Sequence, residues 1–220
     1  MRGAAETYFG YVQAMADLMP MVHAERASLG EFLDTLAPAQ WSAPTWCDKW
    51  NVQELVAHLT AAGNITAGHF LAGFVKAGFN FDKTVDRDLR NYSAGTPADV
   101  KARYDAIITS NRTPPGPSYV ALGEVMVHGE DIRRSQGVHG EHPPEHLVTL
   151  AELYKKTGAP LRAKKRVLGL KLQATDVDWA TGDGPEVTGP CMSLILAMVG
   201  RTGALADCDG SGVETLRARA

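Results

Sequence analysis

The sequence predicts a mainly helical protein, a four-helix bundle followed by a small α+β domain. In the first part of the chain, apolar residues recur at steps of three and four, which gives a helix one apolar face. Segments rich in proline and glycine separate these stretches. Later, apolar and polar residues alternate, as in half-buried strands. We therefore expect a bundle over residues 1–138, a linker and connecting helix over 139–160, and an α+β domain over 161–220.

The first helix is predicted from Thr7 to Leu36. Its apolar positions follow the helical period at Phe9, Val12, Met15, Leu18, Met19, Val22, Leu29, Phe32, Leu33 and Leu36. Pro20 has no backbone N–H to donate inside a helix, so we expect it to kink or split this one.

Capping signals predict where the next helices begin. Asn51 and Glu54 have the spacing of a capping box, and a second helix is expected from here towards Phe74. A Thr-Pro pair at Thr96 opens a third helix. The breaker at 113–118 precedes a fourth, and four helices with one long connection indicate a bundle.

The C-terminal part combines helices and strands. Residues 145–156 resume the helical spacing, whereas Leu168, Leu170 and Leu172 alternate with other residues as in a strand. Val177 alternates with Trp179 in the same way, so a small antiparallel sheet is expected.

Two further helices are predicted after this sheet. Gly189-Pro190 begins an apolar helix that runs through Val199. Ser211 and Glu214 have the spacing that would cap a short final helix.

Composition indicates the compartment. With 220 residues and 45% hydrophobic content, the chain has enough apolar residues to fold without disulfides. The cysteines Cys47, Cys191 and Cys208 are odd in number and form no C-x-x-C pair, which is typical of reduced thiols in a cytoplasmic protein.

Composition also indicates which partners to exclude. A net charge of −3 gives no long-range attraction for nucleic acid, and the basic run 162–166 is interpreted as a solvated face. The apolar stretch 194–199 is far shorter than the roughly 20 residues that span a bilayer. We expect neither a nucleic-acid partner nor a membrane span.

Three residues form a candidate metal site. Glu124 and His128 are four apart on the fourth helix, so both side chains point to one face. His58 lies within the apolar pattern of the second helix and should point into the bundle. Such a His2Glu set suits zinc or another borderline ion, and three protein ligands leave one position open, as in catalytic sites.

Simpler interpretations remain open. His58 fits a core histidine, and Glu124 with His128 fits an ordinary helix-face hydrogen bond. Asp131 either braces His128 from behind or forms an ion pair with Arg134, with the ion pair slightly favoured.

Other candidate ligands are less favoured. His69 would lie on the same face of the predicted second helix as His58, but it is eleven residues further along the chain, too far along the helix axis for the two to share an ion. His142 and His146 are four apart, but two prolines intervene, so solvated side chains are expected. Cys47 lies between Trp46 and Trp50 and has no activating base nearby in sequence. Packing of the two aromatic residues is therefore favoured over a role of Cys47 as a nucleophile.

Two segments resemble a known family. They are QWSAPTWCDKWNVQELVAHL at 40–59 and GEVMVHGEDIRR at 123–134. Both are similar to metal motifs of the mycothiol-dependent maleylpyruvate isomerase family, part of the DinB-like superfamily. The run 174–190 and the helix after it resemble the C-terminal domain of many members.

The resemblance implies a DinB-like four-helix bundle with a divalent metal on His58, Glu124 and His128, zinc being preferred and nickel the alternative. It implies mycothiol as cosubstrate, an actinobacterial source, and isomerase or thiol S-transferase activity on a small electrophile such as maleylpyruvate. In the family an arginine of the C-terminal domain assists. No motif fixes its equivalent here, and Arg201 is one candidate.

Three functions stay open at this stage. The first is the thiol-dependent enzyme, acting as a monomer or homodimer. The second is a metal-binding DinB-like stress or regulatory protein without catalysis, because fold alone does not determine activity. The third is a bundle whose C-terminal domain binds an apolar ligand.

Overall fold

The computed structural model describes residues 2–66, 68, 89–113 and 119–220, with side chains from residue 18 onward. It divides into two compact units, one ending at Gly140 and one comprising Glu141–Ala220. The first unit is mainly helical and the second combines helices with a small sheet, which confirms the predicted fold class. The linker and connecting helix assigned to 139–160 stay a prediction. In the described residues, no helix is long and apolar enough to cross a membrane.

Four α-helices of the first unit have both ends within the described residues, and residues 89–92 are helical as well. They are α1 (Arg2–Asp34), α2 (Val52–Asn64), α3 (Pro97–Asp105) and α4 (Tyr119–Ser135), and a 3-10 helix, Pro38–Ser42, follows α1. Helices α1 and α2 each pack against both α3 and α4. The four helices therefore surround one core.

Helix α1 is longer than predicted and is not split. Pro20 lies inside it with an exposed side chain. Val22, Leu29 and Leu33 of the predicted apolar face are almost fully buried. The predicted positions Phe9, Val12 and Met15 are among the residues whose side chains are not described.

The capping signals at Asn51 and Thr96 are confirmed. Asn51 accepts a hydrogen bond from the Glu54 backbone N–H at 2.9 Å, and the Asn51 N–H donates to the Glu54 carboxylate at 3.0 Å. Thr96 and Asp99 form the same kind of box at the start of α3. Each box satisfies backbone N–H groups that a helix start leaves unpaired.

Helix α2 ends earlier than predicted. Its last residues are Gly63 and Asn64, two weak helix formers, and Ile65 is already extended. Residues 69–88, which include the predicted end at Phe74, lie outside the described residues, as does most of the breaker before α4.

The core of the first unit is made by all four helices. Its fully or nearly buried members are Leu29, Leu33, Trp41, Val52, Leu55, Val56, Leu59, Val100, Tyr104, Ile107 and Ile132. Burial of Ala57 and Leu59 directs the neighbouring His58 towards the bundle rather than away from it.

The second unit places helices around a three-stranded sheet. Its helices are α5 (Pro144–Tyr154), α6 (Ala163–Val167), α7 (Cys191–Met198) and α8 (Val213–Arg217), with a 3-10 helix at Thr202–Asp207. The strands are β1 (Lys171–Ala174), β2 (Ala180–Thr181) and β3 (Glu186–Gly189). Helix α7 is buried along its whole length, as its uniformly apolar sequence predicts.

The sheet is mixed, so the predicted antiparallel sheet is wrong in part. The strand order is β2-β1-β3, with β2 antiparallel and β3 parallel to β1. Leu172 pairs with Thr181 on one side and with Val187 on the other. Alternation identifies a strand, but it does not fix the direction of the strand's neighbour.

Three local predictions in this unit are corrected. Leu168 is 68% exposed and precedes β1, whereas Leu170 and Leu172 are buried as expected. Val177 lies in a bend ahead of β2. Gly212, not Ser211, caps α8, without a side-chain hydrogen bond.

Candidate metal centre

The structure brings the three predicted ligands together. His58 lies on α2, and Glu124 and His128 lie on the facing helix α4. The His58 Nε2 atom is 2.8 Å from Glu124 Oε2, and His128 Nε2 is 3.7 Å from the same oxygen. One ligand atom from each residue lies within 4.8 Å of the other two.

These donors fit a divalent ion. Ligand atoms about 2.1 Å from a tetrahedral zinc ion lie about 3.4 Å apart, and the two distances to Glu124 bracket that value. The side chains of His58, Glu124 and His128 are 19, 30 and 14% exposed, so the cluster is reachable from solvent. Two imidazoles and one carboxylate suit zinc or nickel and leave room for a further ligand.

Asp131 contacts the back of His128. Its Oδ2 lies 2.9 Å from His128 Nδ1, and its side chain is fully buried. The Asp131 backbone carbonyl accepts a hydrogen bond from Trp46, which attaches α4 to the segment before α2. Arg134, its other predicted partner, donates to Glu130 at 2.8 Å. A carboxylate that accepts from Nδ1–H leaves Nε2 of His128 as the donor atom for an ion.

Trp50 lies against both histidines. Its ring stacks on His58 with a centroid distance of 4.6 Å and meets His128 edge-on at 6.4 Å. The two imidazole rings are 5.4 Å apart and nearly perpendicular. This contact restricts the orientation of the His58 ring.

Cys47 lies nearer to the site than the sequence indicates. Its sulfur, a nitrogen of His128 and an oxygen of Asp131 lie within 4.8 Å of one another. The thiol is half-buried. No base is close to Cys47 in sequence, but the fold places His128 of helix α4 beside it.

Buried charges on α1 and α4 were not predicted. Glu25 and Arg26 on α1, and Glu130 and Arg133 on α4, are at most 5% exposed. Burial lowers the pKa of both guanidinium groups and raises the pKa of the buried Tyr104 hydroxyl above its usual range. Arg26 sits four residues after Val22 and three before Leu29, a spacing that marks it as inward-facing.

The remaining candidate residues lie elsewhere. His146 is buried in α5, so the predicted solvated side chain is wrong there, because α5 begins at Pro144 and turns this residue inward. His69 is outside the described residues. In the basic run, Lys164 and Lys165 are exposed as predicted, but Arg166 is half-buried and donates to backbone carbonyls. Arg201 is half-buried in the second unit.

Residues 22–121 match the family model of the mycothiol maleylpyruvate isomerase N-terminal domain, a range that includes His58 and ends before Glu124. The fold is similar to that of a crystal structure of the mycothiol-dependent maleylpyruvate isomerase, with a TM-score of 0.64 and 15% identity over 90% of this chain and 92% of that chain. A histidine-to-alanine mutant of the mycothiol-dependent maleylpyruvate isomerase gives a TM-score of 0.63 and 14% identity over the same shares. No curated protein matches the sequence. Over residues 22–121 of its first unit, the chain is therefore similar to the N-terminal domain of the mycothiol maleylpyruvate isomerase family.

Proposed function

We propose that this protein is a metal-dependent enzyme that uses mycothiol, or a similar small thiol, to isomerise a small electrophile such as maleylpyruvate or to transfer the thiol to it. The observation that supports this best is the His58, Glu124 and His128 cluster in a chain whose residues 22–121 match this family's model. The reaction needs a thiolate that adds to an activated double bond and leaves after rotation about the resulting single bond.

We propose His58, Glu124 and His128 as the ligands of one divalent ion, with zinc preferred over nickel. A bound ion at this position would act as a Lewis acid that keeps a small thiol ionised near neutral pH.

The protein's own residues have separate tasks in this proposal. Asp131 holds the Nδ1 proton of His128 and so fixes both the tautomer and the plane of the ring. Trp50 covers one face of His58 and excludes water from it. The partial exposure of Glu124 leaves an approach for small molecules.

The proposal is tested by turnover. Maleylpyruvate isomerisation is followed by absorbance with zinc-loaded and metal-free protein, with mycothiol, glutathione or no thiol. We expect activity only when both metal and thiol are present, its loss in Glu124→Gln, and its retention in His139→Ala, which changes an exposed histidine outside the cluster.

Metal binding without thiol-dependent turnover of maleylpyruvate or of a panel of small electrophiles would contradict the enzymatic proposal. That result would favour the non-catalytic metal-binding function. Binding of apolar ligands with no dependence on metal would favour the third function.

A further inference from the structure

A second group of possible metal ligands lies behind His128. The sulfur of Cys47, a nitrogen of His128 and an oxygen of Asp131 lie within 4.8 Å of one another. Asp131 Oδ2 is 2.9 Å from His128 Nδ1, so Nδ1 is the nitrogen on this side of the ring, while Nε2 faces Glu124 at 3.7 Å. The two nitrogens of one imidazole therefore face two different sets of ligand atoms.

The thiol makes this second set selective. Cysteine sulfur is a soft ligand that prefers thiophilic ions, whereas the two histidines and the carboxylate of the first set suit borderline ions. An ion bound here must replace the hydrogen bond between Asp131 and His128, so only an ion that bonds strongly to sulfur compensates for that loss. This requirement favours Cd²⁺ over zinc.

The surroundings of the second set favour a cation. The Asp131 side chain is 0% exposed, and a carboxylate removed from water is stabilised by an adjacent positive charge. Cys47 is half-buried, so its sulfur leaves the set reachable from solvent.

We propose that Cys47, Asp131 and Nδ1 of His128 form a second metal site, which binds a thiophilic ion such as Cd²⁺ in competition with the first site. The inference goes beyond the proposed function, because it requires neither a small thiol nor turnover. A neutral imidazole has one nitrogen without a proton, so His128 binds one ion at a time. When an ion binds at Nδ1, the proton of Nδ1 is replaced by one on Nε2, and Cys47 releases its thiol proton to solvent.

Cadmium titration of metal-free protein tests the site, because a thiolate bound to Cd²⁺ gives an ultraviolet charge-transfer band that imidazole and carboxylate ligands do not give. Wild type and His58→Ala, which lacks a ligand of the first set only, should both give this band, with saturation at about one equivalent. Cys47→Ser should lose the band. Cys208→Ser is the matched control, because it removes a buried thiol of the second unit, and it should keep the band.

Competition with zinc tests the shared imidazole. Wild type equilibrated with equal concentrations of zinc and cadmium should hold about one ion per chain in total, as measured by plasma mass spectrometry. Cys47→Ser should still take up about one zinc ion, because it keeps all three ligands of the first set. Zinc uptake by this variant therefore tests the metal centre of the proposed function separately from the second site.

A charge-transfer band in folded Cys47→Ser equal to that of wild type would overturn the inference, as would a wild type without the band. Two ions per chain would overturn the competition for His128. If Cys47→Ser does not fold, alkylation of His58→Ala by iodoacetamide decides. Cadmium should slow the labelling of Cys47 in that variant about tenfold or more, and an unchanged rate would overturn the inference.

Discussion

His128 Nδ1 lies 2.9 Å from Oδ2 of Asp131, and Nε2 of the same ring faces Glu124 at 3.7 Å. The imidazole is thus fixed by a buried carboxylate on one side and presented to the ligand cluster on the other. Histidine ligands of metal ions are commonly oriented in this way.

Replacement of Asp131 by Ala should weaken zinc binding about 10- to 100-fold, because His128 then loses the acceptor that fixes its tautomer and orientation. Competition with a chromophoric chelator measures the affinity. The exposed carboxylate Asp48, altered to Asn, serves as the control and should leave the affinity unchanged. Wild-type zinc affinity in folded Asp131→Ala would show that this carboxylate does not position the ligand.

The three thiols should react at different rates. Burial raises the pKa of Cys191 to about 12, so almost no thiolate is present at neutral pH, and Cys208 is also buried. Cys47 is half-buried and should be alkylated first by iodoacetamide in the native protein, as followed by peptide mass spectrometry. In denaturant all three should react. Native labelling of Cys191 as fast as that of Cys47 would contradict the packing described.

Replacing each of two buried helix glycines, Gly63 and Gly30, by alanine should change the free energy of unfolding in opposite directions. A Cβ at Gly63 would lie 2.7 Å from Cδ1 and 3.0 Å from Cβ of Ile107, whereas one at Gly30 would meet Ile108 at 3.4 Å. Gly63→Ala should lower the free energy of unfolding by about 1–3 kcal/mol through overpacking. Gly30→Ala should raise it by up to about 1 kcal/mol through helix propensity. Urea denaturation measures both, and equal stabilisation of the two variants would refute the contact with Ile107.

Asp99 should contribute stability that depends on pH. The hydroxyl and the backbone N–H of Thr96 both donate to its carboxylate, at 2.7 and 2.8 Å, and these hydrogen bonds lower the pKa of Asp99. A lowered pKa in the folded state stabilises the protein above the unfolded-state pKa of about 3.9, and this stabilisation is lost as pH falls through the folded pKa. Asp99→Asn should therefore be less stable than wild type at pH 7, with the difference shrinking towards pH 3. A difference that does not change with pH would exclude this carboxylate as its source.

Local signals in the sequence are sufficient to predict most of the helices. The capping boxes at Asn51 and Thr96 depend on side chains three residues apart, and the structure contains both. Helical spacing places Glu124 and His128 on one face of α4, and the apolar pattern directs His58 into the bundle. That the three residues meet at one ion is implied by the resemblance to the isomerase family, because it depends on how two helices pack.

Features that depend on distant residues were not predicted. The parallel pairing of β1 with β3 requires a crossover that alternation does not encode. Cys47 lies beside His128 through the packing of the segment before α2 on α4, where the Trp46 N–H donates to the Asp131 carbonyl. The burial of Arg26 was not predicted, because a charged residue is not counted among the apolar positions, although its spacing places it on the apolar face of α1.

The proposed metal centre at His58, Glu124 and His128 is tested by metal content. Wild type, His58→Ala, His128→Ala and the control His139→Ala are purified without a histidine tag and examined by plasma mass spectrometry after stoichiometric loading. We expect about one equivalent of zinc or nickel in wild type and in His139→Ala, and none in the two site variants. A wild type that takes up no metal, or folded site variants that retain it, would contradict the metal centre.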